Sequence, residues 1–255
     1  MKLAGSRLGL VLAAVILVVL EKFVPFGELA LYPFTLLATW VHEMGHGLAA
    51  LFLGGAFDHL EIFGDASGVA FTTSIPGWHS ALVAAAGLLG PPVAGAGILA
   101  FARGPRRGAL VLGGIAIAVL VSVVFWVRSA VGVFTLVPLA LLLGLLALRA
   151  GRARLVLAQL LGLLFAMDTL ARFDYLFSST AMIGGAQRAS DVVGIAAGLF
   201  PPALLWGVLI AALDLVLLYG GLRAAWAPAR APKVGAVEAA ADTTIRRAQR
   251  ARQRT

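Results

Sequence analysis

Four His and five Glu occur in 255 residues, and three of these nine fall within His42-Glu43-Met44-Gly45-His46. On a helix, positions i and i+4 share one face. Both imidazoles can then reach a single ion at about 2.0–2.1 Å from each ring nitrogen. Glu43 stands beside the first of them, where its carboxylate can take a proton from a water held by that ion. Such an ion lowers the water's pKa toward about 7, which makes a nucleophile available at neutral pH. The spacing is the H-E-x-x-H arrangement of zinc hydrolases.

A catalytic zinc ion keeps three protein ligands and one open position. Cys is absent, so the third ligand must be a His or a carboxylate, and thiol nucleophiles and disulfides are excluded. His59 and His79 are the remaining imidazoles. Asp168 and Asp191 are carboxylates in or near apolar segments, and Asp174 lies beside them at an interface. Asp214, inside the last apolar run, suits a hydrogen bond between paired helices better.

The elements that must position these groups are apolar. The chain is 61% hydrophobic and 13% charged, with a mean hydropathy of +0.98. A soluble domain carries about a quarter charged residues, so one soluble core cannot hide this chain and it reads as a polytopic membrane protein. Apolar runs cover Leu8–Leu20 continuing toward Phe26, then Leu29–Leu53, His79–Phe101, Ala109–Val127, Ala130–Leu148, Leu155–Phe173 and Leu199–Leu222. His42, Glu43 and His46 fall near the middle of the second run. A charge there costs roughly 2.5–3.5 kcal/mol even on lenient insertion scales, and a bound metal offsets that cost.

Between the second and third runs, residues 56–73 alternate on either side of Gly64-Asp-Ala-Ser-Gly68, which predicts a β-hairpin. The fold class expected is an all-α polytopic membrane protein of about 6–7 transmembrane helices with a small hairpin after the HExxH helix. Residues 1–222 form the membrane domain and residues 223–255 a basic cytosolic tail.

The net charge of +8 gathers at 103–107, 149–154 and 223–254, which reads as topology signals and not as a nucleic-acid surface. These clusters agree on one side of the membrane. Lys2 and Arg7 disagree with them, because three runs intervene. Either the N-terminus lies outside or the third run, with Pro91-Pro92, is broken or re-entrant.

The stretch Thr39-Trp-Val-His-Glu-Met-Gly-His-Gly-Leu-Ala-Ala50, followed by Gly54-Gly55 and the hairpin, resembles the site-2 protease family of intramembrane zinc metalloproteases. It is most similar to a compact bacterial branch without a PDZ domain. Ser190-Asp191 before Val192-Val-Gly-Ile-Ala196 resembles the branch's late Ser-Asp helix start. Asp168 resembles its upstream Asp, and Pro201 and Trp206 its closing Pro and Trp. The likeness spans roughly residues 8–220. The Asp-Gly pair of better-known members is absent.

The resemblance implies zinc as cofactor, Glu43 as the catalytic base, and His42, His46 and Asp191 as ligands. Asp168 is the alternative third ligand, and its place at membrane depth favours it on span count alone. Asp191 falls between runs unless 174–198 folds back, which breaks at Gly184-Gly185 and Gly194 would allow. The implied substrate is a transmembrane segment of another protein, such as an anti-sigma-factor-like regulator, in a bacterial inner membrane. A transporter or a catalytically idle scaffold with a polar intramembrane site is the rival class.

Overall fold

The computed structural model describes residues 7–200 and 202–226. Lys2, Pro201 and the basic tail beyond residue 226 lie outside the described residues. Helix α1, Arg7–Phe23, turns at Phe26 into α2, Gly27–Phe52. Gly54, at φ +82°, closes the end of α2, and the Gly55 amide returns to the Ala50 carbonyl at 2.8 Å. Glycine meets such a left-handed position without a Cβ penalty.

Strands β1, Ala56–Ile62, and β2, Gly68–Thr73, then form the antiparallel hairpin expected over 56–73. Helices α3, Trp78–Phe101, α4, Pro105–Phe125, α5, Ala130–Arg149, and α6, Ala153–Ala171, follow. A 3-10 turn at Phe173–Phe177 leads into a second hairpin, β3, Thr180–Ile183, with β4, Ala186–Ala189. A short α7, Asp191–Gly198, and α8, Ala203–Trp226, complete the described chain.

Among the described residues, five helices are long and apolar enough to cross a membrane: α3, α4, α5, α6 with its 3-10 turn, and α8. The chain is therefore an all-α polytopic membrane protein with small hairpins. Of the other two expected spans, α1 has 17 described residues, and α2 carries His42, Glu43 and His46 in its interior.

Helix α3 runs unbroken through Pro91-Pro92, so a break within 79–101 does not explain the charge parity. Each Pro removes the amide that would bond the carbonyl four residues earlier. For Pro92 that carbonyl is Leu88, and it is satisfied from another helix: Thr169 Oγ1 of α6 donates to it at 2.8 Å. The Gly184-Gly185 pair does not break a helix either. With φ of 56° and 79° it forms the two-residue turn between β3 and β4, matching the twist that short hairpins favour.

Two apolar clusters hold the helices. One joins α2, β1, α4, α5 and α6 through Leu36, Trp40, Leu60, Leu112, Leu136 and Phe165. The other joins α3, the 3-10 turn, α7 and α8 through Ala84, Leu88, Leu176, Val192, Ile195 and Ile210. Within the first, Trp40 Nε1 donates to Ser122 Oγ at 2.8 Å, which donates to the Val119 carbonyl. Val124, Phe134, Leu148 and Val216 lie exposed on the outer helix faces, as expected of side chains that meet lipid.

Candidate metal centre

Helix α2 carries His42, Glu43 and His46 into the seam between the two clusters, and α7 brings Asp191 to meet them. The Nε2 atoms of His42 and His46 are 3.1 Å apart, and the rings meet edge to face. Asp191 Oδ2 lies 3.1 Å from His42 Nε2, and Oδ1 lies 3.4 Å from His46 Nε2. Helices α2 and α3 come close here because both are glycine at the contact. A Cβ on Gly45 would fall 2.4 Å from the Ala86 carbonyl oxygen, and one on Gly87 would fall 2.2 Å from the His46 ring.

The His46 ring is aimed by its second nitrogen, since Nδ1 sits 2.8 Å from the Val83 carbonyl of α3. A carbonyl only accepts, so Nδ1 carries a proton and Nε2 is the nitrogen left to face the centre. Nε2 faces a second imidazole nitrogen and a carboxylate. One atom from each of His42, His46 and Asp191 lies within 4.8 Å of the others. Two imidazole nitrogens and one carboxylate oxygen converging in this way fit a zinc ion with an open position.

Glu43 is buried, with 4% of its surface exposed. Its carboxylate packs against β2, and a Cβ on Gly68 would fall 2.7 Å from Oε1. The Ala70 amide is turned toward it. That orientation follows from the strand pairing. The amide and carbonyl of Leu60 on β1 bond the 126–128 segment, at 2.9 and 3.0 Å, so the facing Ala70 turns its own groups away from β1. The outer edge of β1 is therefore occupied, and Ile62 is further tied to Ser129 Oγ. The outer edge of β2 faces the centre.

A cavity of about 620 Å³ opens over the four residues. Gly68, Ala70 and Thr72 of β2 form one wall, and Met182 and Arg188 of the second hairpin form another. The two hairpin turns meet, with the Gly184 amide donating to Ser67 Oγ at 3.0 Å. Asp65 braces the first turn, and the Ser67 hydroxyl bonded to it holds its carboxyl below the usual carboxylate range.

Asp168 lines the cavity without joining the cluster. Its Oδ1 accepts from Arg172 Nη2 at 3.2 Å, and the same guanidinium nitrogen donates to Thr39 Oγ1 at 3.3 Å. His59 stacks on Phe71 and faces Asp58 and Glu61, while His79 stacks on Trp78. Asp174 is exposed, and Asp214 is fully buried in α8 away from the three donors.

The sequence reading missed Tyr175, whose hydroxyl lies 2.9 Å from Asp191 Oδ2 and 3.2 Å from the Asp191 amide nitrogen. It also missed Thr39, which donates to the Ala66 carbonyl and ties the first hairpin to α2. The chain has only three Tyr. One placed just after Asp168, Arg172 and Asp174 was the available signal.

No curated protein and no solved structure matches the chain. The family model described as Peptidase M50B-like matches residues 9–221, a span that contains α2 with its two histidines, both hairpins and the Asp191 helix. The chain therefore belongs to the Peptidase M50B-like family, within the site-2 protease family.

Proposed function

We propose that this chain is a zinc-dependent intramembrane endopeptidase that cleaves peptide bonds in or near transmembrane segments of other proteins. The convergence of His42, His46 and Asp191 beside a buried Glu43, in a cavity among apolar helices, carries this reading. His42, His46 and Asp191 would hold the ion, with Asp191 in preference to Asp168. Zinc, when bound, polarises a carbonyl oxygen and lowers the pKa of water.

Glu43 takes the proton from the attacking water and returns it to the departing amine nitrogen. Burial beside Gly68 and the Ala70 amide holds its carboxylate in place for both transfers. The cavity admits water to a depth where lipid would exclude it. A helical substrate shields its amides and must be unwound first. The unpaired edge of β2 offers backbone groups to an extended segment, which that pairing would hold straight beside Glu43. The expected substrate is a membrane-anchored protein, such as an anti-sigma-factor-like regulator, in the bacterial cell membrane.

The test is Glu43→Gln beside wild type, measuring zinc per chain and cleavage of a reconstituted single-span substrate. Both proteins should hold about one zinc ion, while cleavage falls roughly 10²–10⁴-fold in the variant. Wild-type cleavage by Glu43→Gln would overturn the assigned base. A wild type that takes up no transition metal would favour the transporter or idle-scaffold reading.

A further inference from the structure

The Asp191 carboxylate is held by a group outside the three donors. Asp191 is the first residue of α7, so its amide lacks a partner within the helix. The Tyr175 hydroxyl accepts from that amide at 3.2 Å and donates to Oδ2 of the same residue at 2.9 Å. One hydroxyl thus grips both the main chain and the side chain of Asp191. We propose that Tyr175 is a positioning residue that fixes the orientation in which the Asp191 carboxylate faces His42 and His46; this rests on the metal-centre reading above.

Tyr175 is itself anchored. Its ring packs against the cluster of α3, α7 and α8, and its amide bonds the Arg172 carbonyl at 2.9 Å. The chain between Tyr175 and Asp191 leaves to form the second hairpin and is stitched where it returns. Ser190 Oγ donates to the Ser178 carbonyl at 2.6 Å, and the Ser190 amide donates to the Ser179 carbonyl at 3.0 Å. Residues 16 positions apart are thereby kept in contact. Without the phenol, Oδ2 loses a donor and the carboxylate is free to turn from the histidines. Groups that orient a metal ligand in this way typically contribute 10–100-fold to affinity.

The experiment is zinc affinity of the detergent-purified full chain by competition with a chromophoric chelator. The visible spectrum of the cobalt-loaded protein is recorded alongside. Tyr175→Phe should bind zinc about 10–100-fold more weakly and shift the cobalt bands. Tyr219→Phe, an exposed phenol on α8, should match wild type in both. The metal-free Tyr175→Phe protein should keep the helical circular dichroism of metal-free wild type, since the phenol orients a ligand and does not build a helix. Wild-type affinity and spectrum in Tyr175→Phe would overturn the proposal, as would loss of the helical signal in the metal-free variant, which would assign the effect to folding. A wild type that binds neither zinc nor cobalt would instead overturn the metal centre itself, and the positioning role with it.

Discussion

His42 and His46 are one helical turn apart, and their partnership needs nothing beyond that local geometry. Asp191 is 149 positions beyond His42, and its partnership depends on the whole fold. By residue type, Asp168 and Asp191 are equal. They separate on their neighbours: Asp168 is engaged by Arg172, whereas Asp191 touches both imidazoles. The two carboxylates should therefore respond differently to truncation. Asp191→Ala should lose zinc. Asp168→Ala should keep about one zinc ion per chain and slow cleavage, because Arg172 and Thr39 at the cavity wall lose their brace. Metal analysis of the two purified variants decides this, and zinc lost from Asp168→Ala alone would reverse the assignment. The HExxH triad was thus legible in the sequence. The candidate third donor was open by spacing among His59, His79 and the carboxylates, and only the resemblance preferred Asp191 to Asp168, because through-space contact leaves no mark on local spacing.

Elements read well from the sequence where a pattern repeats and poorly where tertiary partners replace it. The first hairpin was legible because its alternation surrounds a Gly and Asp turn. The second has four-residue strands with mostly exposed side chains, so no alternation was available. Its true signal, Gly184-Gly185, equally suits a helix break. Pro91-Pro92 misled in the same way. A Pro pair ordinarily ends a helix, but here Thr169 satisfies the Leu88 carbonyl that Pro92 leaves without an amide. That substitution of partners is testable. Thr169→Val keeps the side-chain shape and removes the donor, leaving a buried carbonyl unpaired. It should destabilise the protein by about 1–2 kcal/mol in detergent unfolding. Thr169→Ser should recover most of the loss. An unchanged Thr169→Val would mean that α3 tolerates the Pro pair without help from α6.

At the scale of the molecule, composition alone settled the membrane class, and the family match agrees with it. What composition could not show is that the centre lies on a seam. Helix α2 belongs to one apolar cluster and α7 to the other, so His42 and His46 face Asp191 across the boundary between them. Each cluster is filled by its own Leu, Ile and Ala side chains and needs no ion to fill it. A metal at the seam would tie the halves together without building either. Stripping zinc with a membrane-permeant chelator should therefore abolish cleavage and leave the helical circular dichroism unchanged. The melting temperature should fall, since an ion at a hundredfold excess over its Kd contributes about 2.7 kcal/mol. Added zinc should restore both activity and melting temperature. The same treatment on His46→Ala should shift nothing, because the variant has already lost a ligand. Loss of the helical signal on chelation would contradict the seam, and would make the ion a structural element of both halves.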